Sequence, residues 1–191
     1  MNIFTFHNVP LFYRLIDTFC GDIGVMWIKK ASDPSVVSIF LPRRDVPTAL
    51  FIEDIYPDAK EATHGSLEGL CDQIRNYMGG SNIDFSLSLL DLDLCYGFQR
   101  RVLLEARKIP RGKVIPYGKL AERINAPRAA RAVGTALAKN PFSLVLPCHK
   151  VIRASGDIGN FGSGPEMKKT LLRFEGVKIS EEGRIDKQFF W

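Results

Sequence analysis

The sequence predicts a protein of the α+β class in two parts: a small antiparallel sheet carrying helices, followed by a mostly helical part. Two observations support this prediction. Short runs rich in β-branched and aromatic residues lie before residue 42. After residue 97, apolar residues recur instead at spacings of three and four, which is typical of helices. We place the boundary at residues 91–96, which gives domains 1–93 and 94–191.

The first domain begins with strand signals and ends with a helix signal. Three runs predict strands: Phe12–Thr18, Val25–Lys29 and Val36–Leu41. Asp33-Pro34 is the expected turn between the last two strands. The apolar residues of Ser66–Met78 recur at spacings of three and four, which predicts an amphipathic helix on the sheet, and Gly79-Gly80-Ser81 ends it. Ile83–Leu90 is a further extended stretch.

The second domain opens with a helix and continues with a helix pair. One apolar face is formed by Phe98, Val102, Leu103 and Ala106, and it ends before Pro110-Arg111-Gly112. Next, Tyr117–Ile124 predicts a short helix and Arg128–Lys139 a second one. Between them Asn125-Ala126-Pro127 forms a turn, with the proline at the first position of the second helix. This helix-turn-helix spacing occurs in DNA-binding proteins and also in structural bundles.

The second helix of this pair has a small and basic outer surface. Ala130, Val133 and Leu137 form its inward stripe. Arg128, Arg131 and Thr135 point elsewhere, together with alanines and Gly134. Small residues allow a helix backbone to approach its partner closely.

The charge distribution separates the two halves of the chain. Residues 1–100 contain 8 basic and 13 acidic residues, whereas residues 101–191 contain 18 and 8. A basic half fits a polyanion such as nucleic acid, although a merely soluble basic surface has the same balance. The apolar runs are too short to cross a bilayer, and Met1–Pro10 lacks the features of a signal peptide. We therefore expect no membrane association and a cytoplasmic location, or a nuclear one in a eukaryote.

The cysteines favour reduced thiols over disulfides, because they are scattered and form no CxxC pair. They are Cys20, Cys71, Cys95 and Cys148. A metal site from His7, Cys20, His64 and Cys71 is conceivable, but no pair has ligand spacing. We expect no metal site and interpret these cysteines as buried structural residues.

Cys148 has a different setting, between Pro147 and His149 and just ahead of a glycine-rich loop. Lowering the pKa of a thiol from about 8.5 to about 7 requires roughly 2 kcal/mol. A hydrogen-bonded histidine can supply this, directly or through a water, if a third group such as a carboxylate holds the imidazole. The glycines around Asn160-Phe161 allow the loop to wrap a flat ligand. The alternatives are an inert packing cysteine and a plain hairpin loop.

These residues belong to a set of motifs that resembles the O6-alkylguanine-DNA alkyltransferases. The motifs are PCHKVI, SGDIGNFGSG and LLRFEG, with FQRRV, GKVIPYGKLA and RAARAVGTALAKNP upstream. The resemblance runs from about Phe98 to Gly176, whereas the first hundred residues share only the order of strands and helices. It implies an RNase H-like first domain and a winged helix-turn-helix second domain.

The resemblance also implies roles for five catalytic residues. Cys148 is the alkyl acceptor, His149 its base through a bridging water, and Glu175 the carboxylate that orients His149. Asn140 hydrogen-bonds near the cysteine and connects the helix pair to the active-site loop. Tyr117 donates a proton to the guanine as it leaves.

DNA binding follows from the same resemblance. Arg131 enters the duplex in place of a flipped nucleotide, and the second helix lies in the minor groove. The implied DNA contacts are Arg131, Arg128, Ala129, Gln99, Gly118, Ala126 and Ala154. The implied substrate pocket comprises Leu137, Val151, Ile158, Gly159, Asn160, Phe161, Gly162 and Ser163.

The implied activity is irreversible, single-turnover transfer of an alkyl group from O6 of guanine in duplex DNA to Cys148, by a monomer without a cofactor or metal. Three positions depart from the family pattern: Lys150 replaces an arginine, Phe161 replaces a tyrosine, and Gly162-Ser163 stands where some relatives place a serine that binds O6. Two alternatives stay open, a non-catalytic binder of alkylated bases and a cysteine hydrolase using Cys148 and His149.

Overall fold

The computed structural model describes residue 6, residues 9–31 and residues 33–191. It contains two compact units. The N-terminal unit comprises residues 2–94 together with 141–145, and the C-terminal unit comprises residues 95–140 together with 146–191. Within the described residues, no helix is both long and apolar enough to cross a bilayer.

The N-terminal unit is built on a four-stranded sheet in the order β3-β2-β1-β4. The strands are β1 (Leu11–Ile16), β2 (Ile23–Lys30), β3 (Asp33–Phe40) and β4 (Lys60–Glu61). The pairs β1–β2 and β2–β3 are antiparallel, and β1–β4 is parallel. The three predicted strands and the mixed α+β class are therefore confirmed.

The turn predicted at Asp33-Pro34 is wrong, because both residues belong to β3 and pair with Lys30 and Lys29. A proline is tolerated near the start of an edge strand, where its missing N–H disturbs no ladder. The chain instead turns at Ala31, whose φ is 48°.

Two helices pack in this unit, α1 (Thr48–Ile55) and α2 (Glu68–Met78). α2 follows a 3₁₀ turn at Gly65–Leu67, which confirms the predicted helix and its end at the glycine pair. α1 was not predicted, because it is short and begins without a side-chain cap or an acidic first turn. Its buried Ile52 lies so close to Gly24 that a Cβ on that glycine would be 2.7 Å from Ile52 Cδ1.

The stretch Ile83–Leu90 does not form a strand, and of its residues Leu90 alone makes a bridge, to Val36. The edge of β3 is shared: Val36 bonds to Leu89 O (2.7 Å), whereas Ile39 N donates to Pro141 O (2.7 Å). Two separate segments therefore occupy the edge that one continuous strand would need.

The C-terminal unit contains four helices and one short parallel pair of strands. The helices are α3 (Gly97–Arg107), α4 (Tyr117–Arg123), α5 (Ala130–Ala138) and α6 (Pro165–Phe174), and the strands are β5 (Ile115–Pro116) and β6 (Val151–Ile152). The helices predicted here are confirmed, with one correction. α5 begins at Ala130 because Arg128 has a φ of 75°, which is incompatible with a helix, so Pro127 lies in the turn and not at the first helical position.

Candidate active site

Cys148 lies in a tight 3₁₀ turn, Cys148–Lys150, between the segment ending at Pro147 and strand β6. Its N–H donates to Leu146 O (2.8 Å), and its carbonyl accepts from Val151 N. The residue is buried, with 8% of its surface exposed. The turn thus fixes the backbone on both sides of the thiol.

Asn140 connects the end of α5 to this turn. Its side-chain Nδ2 donates to Leu146 O (2.7 Å) and to Cys148 Sγ (3.2 Å). A donor at the sulfur favours the thiolate over the thiol, because hydrogen bonding to a charged form stabilises it.

His149 and Glu175 form a pair with no solvent exposure. His149 Nε2 is 2.9 Å from Glu175 Oε1, where Glu175 caps the C-terminal end of α6. Burial lowers the pKa of His149, and the hydrogen bond and charge of Glu175 oppose this shift. If Nε2 donates to the carboxylate, Nδ1 retains its lone pair. Nδ1 is buried and has no hydrogen-bond partner among the described residues.

The other oxygen of Glu175 is held by Lys150, whose Nζ lies 3.0 Å from Oε2. The same ammonium donates to Ile109 O (3.2 Å), and Gly112 N donates to Oε2 (3.3 Å). Burial lowers the pKa of Lys150, and the neighbouring charge of Glu175 opposes that shift. Lysine at this position therefore still makes a buried ion pair.

Lys168 is a buried lysine that the sequence analysis missed. It is fully buried in α6, and its Nζ donates to Val151 O (2.6 Å), one residue beyond the Cys148 turn. Burial lowers the pKa of Lys168 to about 8, although interaction with the Cys148 charge raises it. Its sequence signal was its spacing, because Lys168, Leu171 and Leu172 share the inward face of α6 with Glu175.

Tyr117 begins α4 and lies against two glycines. A Cβ on Gly159 would be 3.4 Å from the Tyr117 hydroxyl, and one on Gly134 would be 3.8 Å from the ring. Gly159 also has a φ of 72°, so a side chain there is both strained and crowded. Burial raises the pKa of Tyr117, and the Cys148 charge raises it further, so the phenol keeps its proton.

The residues predicted to line the substrate pocket differ in their exposure. Leu137, Val151 and Ile158 are buried. Gly159, Phe161 and Ser163 are half-buried, whereas Asn160 and Gly162 are exposed. The glycine-rich loop that contains residues 159–163 ends at Gly164, and α6 begins with Pro165.

Most of the residues predicted to contact DNA are accessible. Arg128, Arg131, Gly118 and Ala154 are exposed, and Ala126 and Ala129 are half-buried. Val133, Ala136 and Leu137 form the buried face of α5, so Arg131 projects from the opposite side.

The prediction that Gln99 contacts DNA is corrected by the structure, because Gln99 is fully buried and cannot touch DNA. Its Nε2 donates to Ala136 O (3.1 Å) and Lys139 O (2.9 Å), so it holds the last turn of α5. Its spacing to Val102, Leu103 and Ala106 places it on the inward stripe of α3 and indicated burial from the sequence.

The two N-terminal cysteines, both predicted to be buried, differ in the structure, because Cys20 is only half-buried. Cys71 is buried in α2, and burial raises the pKa of its thiol. His7, named in the conceivable metal site, lies outside the described residues. In the part of the chain that is described, no three His, Cys, Asp or Glu residues are grouped so that they could hold a metal ion.

Comparisons with known proteins agree with this arrangement. Residues 97–177 match the family described as 6-O-methylguanine DNA methyltransferase, DNA binding domain. A methylated-DNA–protein-cysteine methyltransferase from Methanothermobacter thermautotrophicus is 37% identical over 159 residues, which cover 83% of this chain and 81% of that protein.

Solved structures give the same result. The O6-methylguanine methyltransferase of Mycobacterium tuberculosis superposes with a TM-score of 0.67 at 30% identity, covering 86% of this chain and 92% of that one. The structure of OGT from the same species in complex with DNA also has a TM-score of 0.67, with 32% identity over 86% of this chain and 92% of that chain. With the Cys-His-Glu arrangement in the matched region, the chain belongs to the methylated-DNA–protein-cysteine methyltransferase family.

Proposed function

We propose that this protein repairs alkylated DNA by direct reversal, moving an alkyl group from O6 of guanine in duplex DNA to Sγ of Cys148. One observation carries the proposal: beside Cys148, a fully buried His149 is oriented by Glu175, and its Nδ1 has no hydrogen-bond partner within the described part of the chain. A neutral, oriented imidazole with a free lone pair is what a thiol needs in order to lose its proton.

The reaction begins with the Cys148 thiol. His149 Nδ1 takes the proton through a bridging water, while Glu175 holds the opposite ring nitrogen and stabilises the imidazolium that forms. The donor at Asn140 Nδ2, 3.2 Å from Sγ, supports the thiolate. Lys168, whose Nζ donates to Val151 O, adds a buried positive charge that interacts with Cys148.

The thiolate then attacks the alkyl carbon. The new S–C bond forms as the C–O bond to guanine breaks, and the electron pair of that bond passes to the purine. Tyr117, whose raised pKa keeps it protonated, donates a proton to the ring, so that neutral guanine leaves. The imidazolium of His149 and the tyrosinate of Tyr117 then return to their neutral forms by proton exchange with water, so the net proton movement is from the thiol to guanine. No oxidant, reductant or cofactor is required. Because a thioether is a poor leaving group, each molecule reacts once.

DNA is the partner, and α5 is the element that approaches it. The O6 atom is hidden in the base stack, so the nucleotide must be extruded, at a cost of a few kcal/mol. Exposed Arg131 fills the vacated position, where its guanidinium stacks on the neighbouring bases. The small residues Gly118, Ala126 and Ala129 allow the helix pair to approach a minor groove closely, and Arg128 and Ala154 add contacts at its edges.

The finer architecture belongs to the same proposal. The N-terminal unit is an RNase H-like domain, its sheet order β3-β2-β1-β4 being compatible with that assignment. The C-terminal unit is a winged helix-turn-helix in which α4 and α5 form the helix pair and the turn at residues 153–157 forms the wing. We further propose that the protein acts as a monomer in the cytoplasm, or in the nucleus if its source has one.

A mass measurement tests the activity. Incubated with a duplex containing O6-methylguanine, the intact protein gains the mass of one methyl group, and peptide mapping places it on Cys148. Cys148→Ala gains nothing, whereas Cys95→Ala, which alters another buried cysteine, behaves like the unchanged protein. Tight binding without mass gain would instead identify a non-catalytic binder of alkylated bases, and repeated turnover of an ester or amide would identify a cysteine hydrolase.

A further inference from the structure

The chain that follows α6 returns across the C-terminal unit, and the alkyl-transfer chemistry described above does not use it. We call residues 177–191 the return segment. Its Val177 and Ile185 are 2% and 4% exposed, and they join a core cluster with Val114, Ile152, Ile158 and Leu172. The segment is therefore packed into the unit and is not a loose extension.

We call the glycine-rich residues 159–164 the substrate loop. The first attachment of the return segment is to the turn that precedes this loop. Ile185 N donates to Gly156 O (3.0 Å), and Arg184 forms an antiparallel bridge with Asp157. Gly156 has a φ of 90°, and a Cβ there would be 2.7 Å from Ile185 O. Only glycine fits this approach, so residue 156 is matched to the segment that crosses it.

The second attachment is to the residues that lead into α4. Val114 N donates to Phe189 O (2.9 Å), and Trp191 N donates to Val114 O (2.9 Å), which forms a parallel bridge between Val114 and Phe190. Lys113 Nζ also donates to Gln188 O (2.8 Å). The return segment thus adds a third line of backbone pairing beside β5.

A side-chain contact extends this attachment to α4 itself. The guanidinium of Arg123, in the last turn of α4, lies 3.5 Å from the centroid of the Trp191 ring. Arg123 also lies 3.7 Å from Glu105 on α3. Trp191 therefore restrains the C-terminal end of the helix whose first residue is Tyr117.

The two attachments lie on the two sides of one catalytic contact. Val114 is three residues before Tyr117, and Gly156 is three residues before Gly159. Gly159 is the residue whose backbone approaches the Tyr117 hydroxyl, with an ideal Cβ at 3.4 Å. The return segment therefore holds both stretches of backbone, one leading to Tyr117 and one leading to Gly159, that bring the proposed proton donor against the substrate loop.

We propose that the return segment is a clasp that fixes Tyr117 relative to the substrate loop at Gly159, which makes Trp191 a positioning residue for proton transfer to the departing guanine. The inference rests on the proposed function. It predicts that loosening the clasp slows alkyl transfer because the Tyr117 hydroxyl is misplaced, not because the thiol or the DNA-binding surface is altered.

A double-mutant cycle in the full chain tests the clasp. The rate constant of alkyl transfer from saturating O6-benzylguanine is measured for Trp191→Ala in the unchanged protein and in Tyr117→Phe. In the unchanged protein we expect a loss of about tenfold, since small misplacements of a reacting group are costly. In Tyr117→Phe the same substitution should cost less than about twofold, because residues that act through one another are not additive.

Two further variants keep the test decisive. Trp191→Phe retains a ring under the guanidinium and should react nearly as fast as the unchanged protein, and Lys187→Gln, at an exposed position of the same segment, should not change the rate. Equal losses from Trp191→Ala in both backgrounds would overturn the clasp while leaving the proposed function intact. If Trp191→Ala does not fold, Trp191→Leu in the same cycle replaces it. A failure of the unchanged protein to gain an alkyl group would overturn the proposed function instead.

Discussion

His149 and Glu175 share a 2.9 Å hydrogen bond between two side chains that have no exposed surface. A carboxylate at this depth would be destabilised if it stood alone, and Lys150, 3.0 Å from its second oxygen, balances its charge. The imidazole is thereby held in one orientation, with Nε2 towards the carboxylate, and Nδ1 has no hydrogen-bond partner among the residues that the structure describes.

The first prediction concerns the pH dependence of the reaction. Burial lowers the pKa of His149 from its ordinary value of 6.5, so the imidazole stays neutral until the pH falls below that value. A base must be unprotonated to act, and the rate of alkyl transfer from O6-benzylguanine should therefore fall on the acid side with a midpoint below 6.5. The rate constant at each pH between about 5 and 8 is obtained by quenching the reaction at successive times and measuring the alkylated fraction by mass spectrometry.

The control for this profile is His149→Gln, which should react slowly and without the acid limb. An acid limb with a midpoint above 6.5 in the unchanged protein would contradict the buried, neutral base.

The second prediction concerns the ion pair of Lys150 and Glu175. Lys150→Met leaves a carboxylate buried without its cation, which should lower the free energy of unfolding by about 3 to 5 kcal/mol. Lys150→Arg keeps the charge and should cost clearly less. Urea denaturation monitored by circular dichroism measures both variants, and a similar loss in the two would mean that packing, not charge, is what Lys150 supplies.

The third prediction uses Lys168. Its pKa is about 8 in the folded protein and 10.5 ordinarily, so below pH 8 the folded state bears the full penalty of a buried ammonium. As the pH rises from 8 towards 10.5, the folded protein loses this proton while the unfolded chain retains it, and the protein becomes more stable. The gain over the whole interval is at most about 3.4 kcal/mol.

Lys168→Met should lack this rise. Urea denaturation of both proteins across the alkaline range isolates the contribution of Lys168, because other titrating groups are common to both. A stability difference that is constant with pH would show that Lys168 does not titrate in this interval.

The fourth prediction separates DNA handling from chemistry. Arg131→Ala should slow repair of O6-methylguanine in duplex DNA by about 10- to 100-fold, since extruding a base costs a few kcal/mol that the guanidinium partly offsets. Reaction with free O6-benzylguanine, which needs no extrusion, should change little. Lys169→Gln, which removes a positive charge from α6 far along the chain from α5, is the matched control. Equal losses on the two substrates would argue against intercalation by Arg131.

Sequence alone predicted the parts of this molecule that have a local signature. The helices α2 and α3 follow from apolar spacing over several turns, and β1, β2 and β3 follow from their β-branched and aromatic composition. The arrangement of Cys148 beside His149 was visible because the two are adjacent. Each of these signals is complete within about a dozen residues.

What the sequence did not predict depends on tertiary context. Gln99 and Lys168 have the spacing of inward-facing residues, but the sequence does not show the backbone carbonyls that accept their hydrogen bonds and allow polar side chains to be buried there. Ile83–Leu90 has strand composition, but its place on the edge of β3 is shared with residue 141 and its neighbour. The predicted turn at Asp33-Pro34 was also wrong because of tertiary context: β3 lies at an edge of the sheet, and an edge strand tolerates a proline that a central strand does not.

The assignment of residues 141–145 to the N-terminal unit has a consequence for dissecting this protein. The polypeptide crosses from one unit to the other three times, after residues 94, 140 and 145, and the last crossing is followed within three residues by the nucleophile. In the folded protein, residues 141–145 are attached to β3, because Ile39 N–H donates to Pro141 O and Ile39 forms a bridge with Phe142. A single cut near residue 94 would therefore release a C-terminal fragment that lacks this strand. Fragment studies of the repair chemistry should expect an excised C-terminal half to carry a frayed loop immediately upstream of its reactive sulfur.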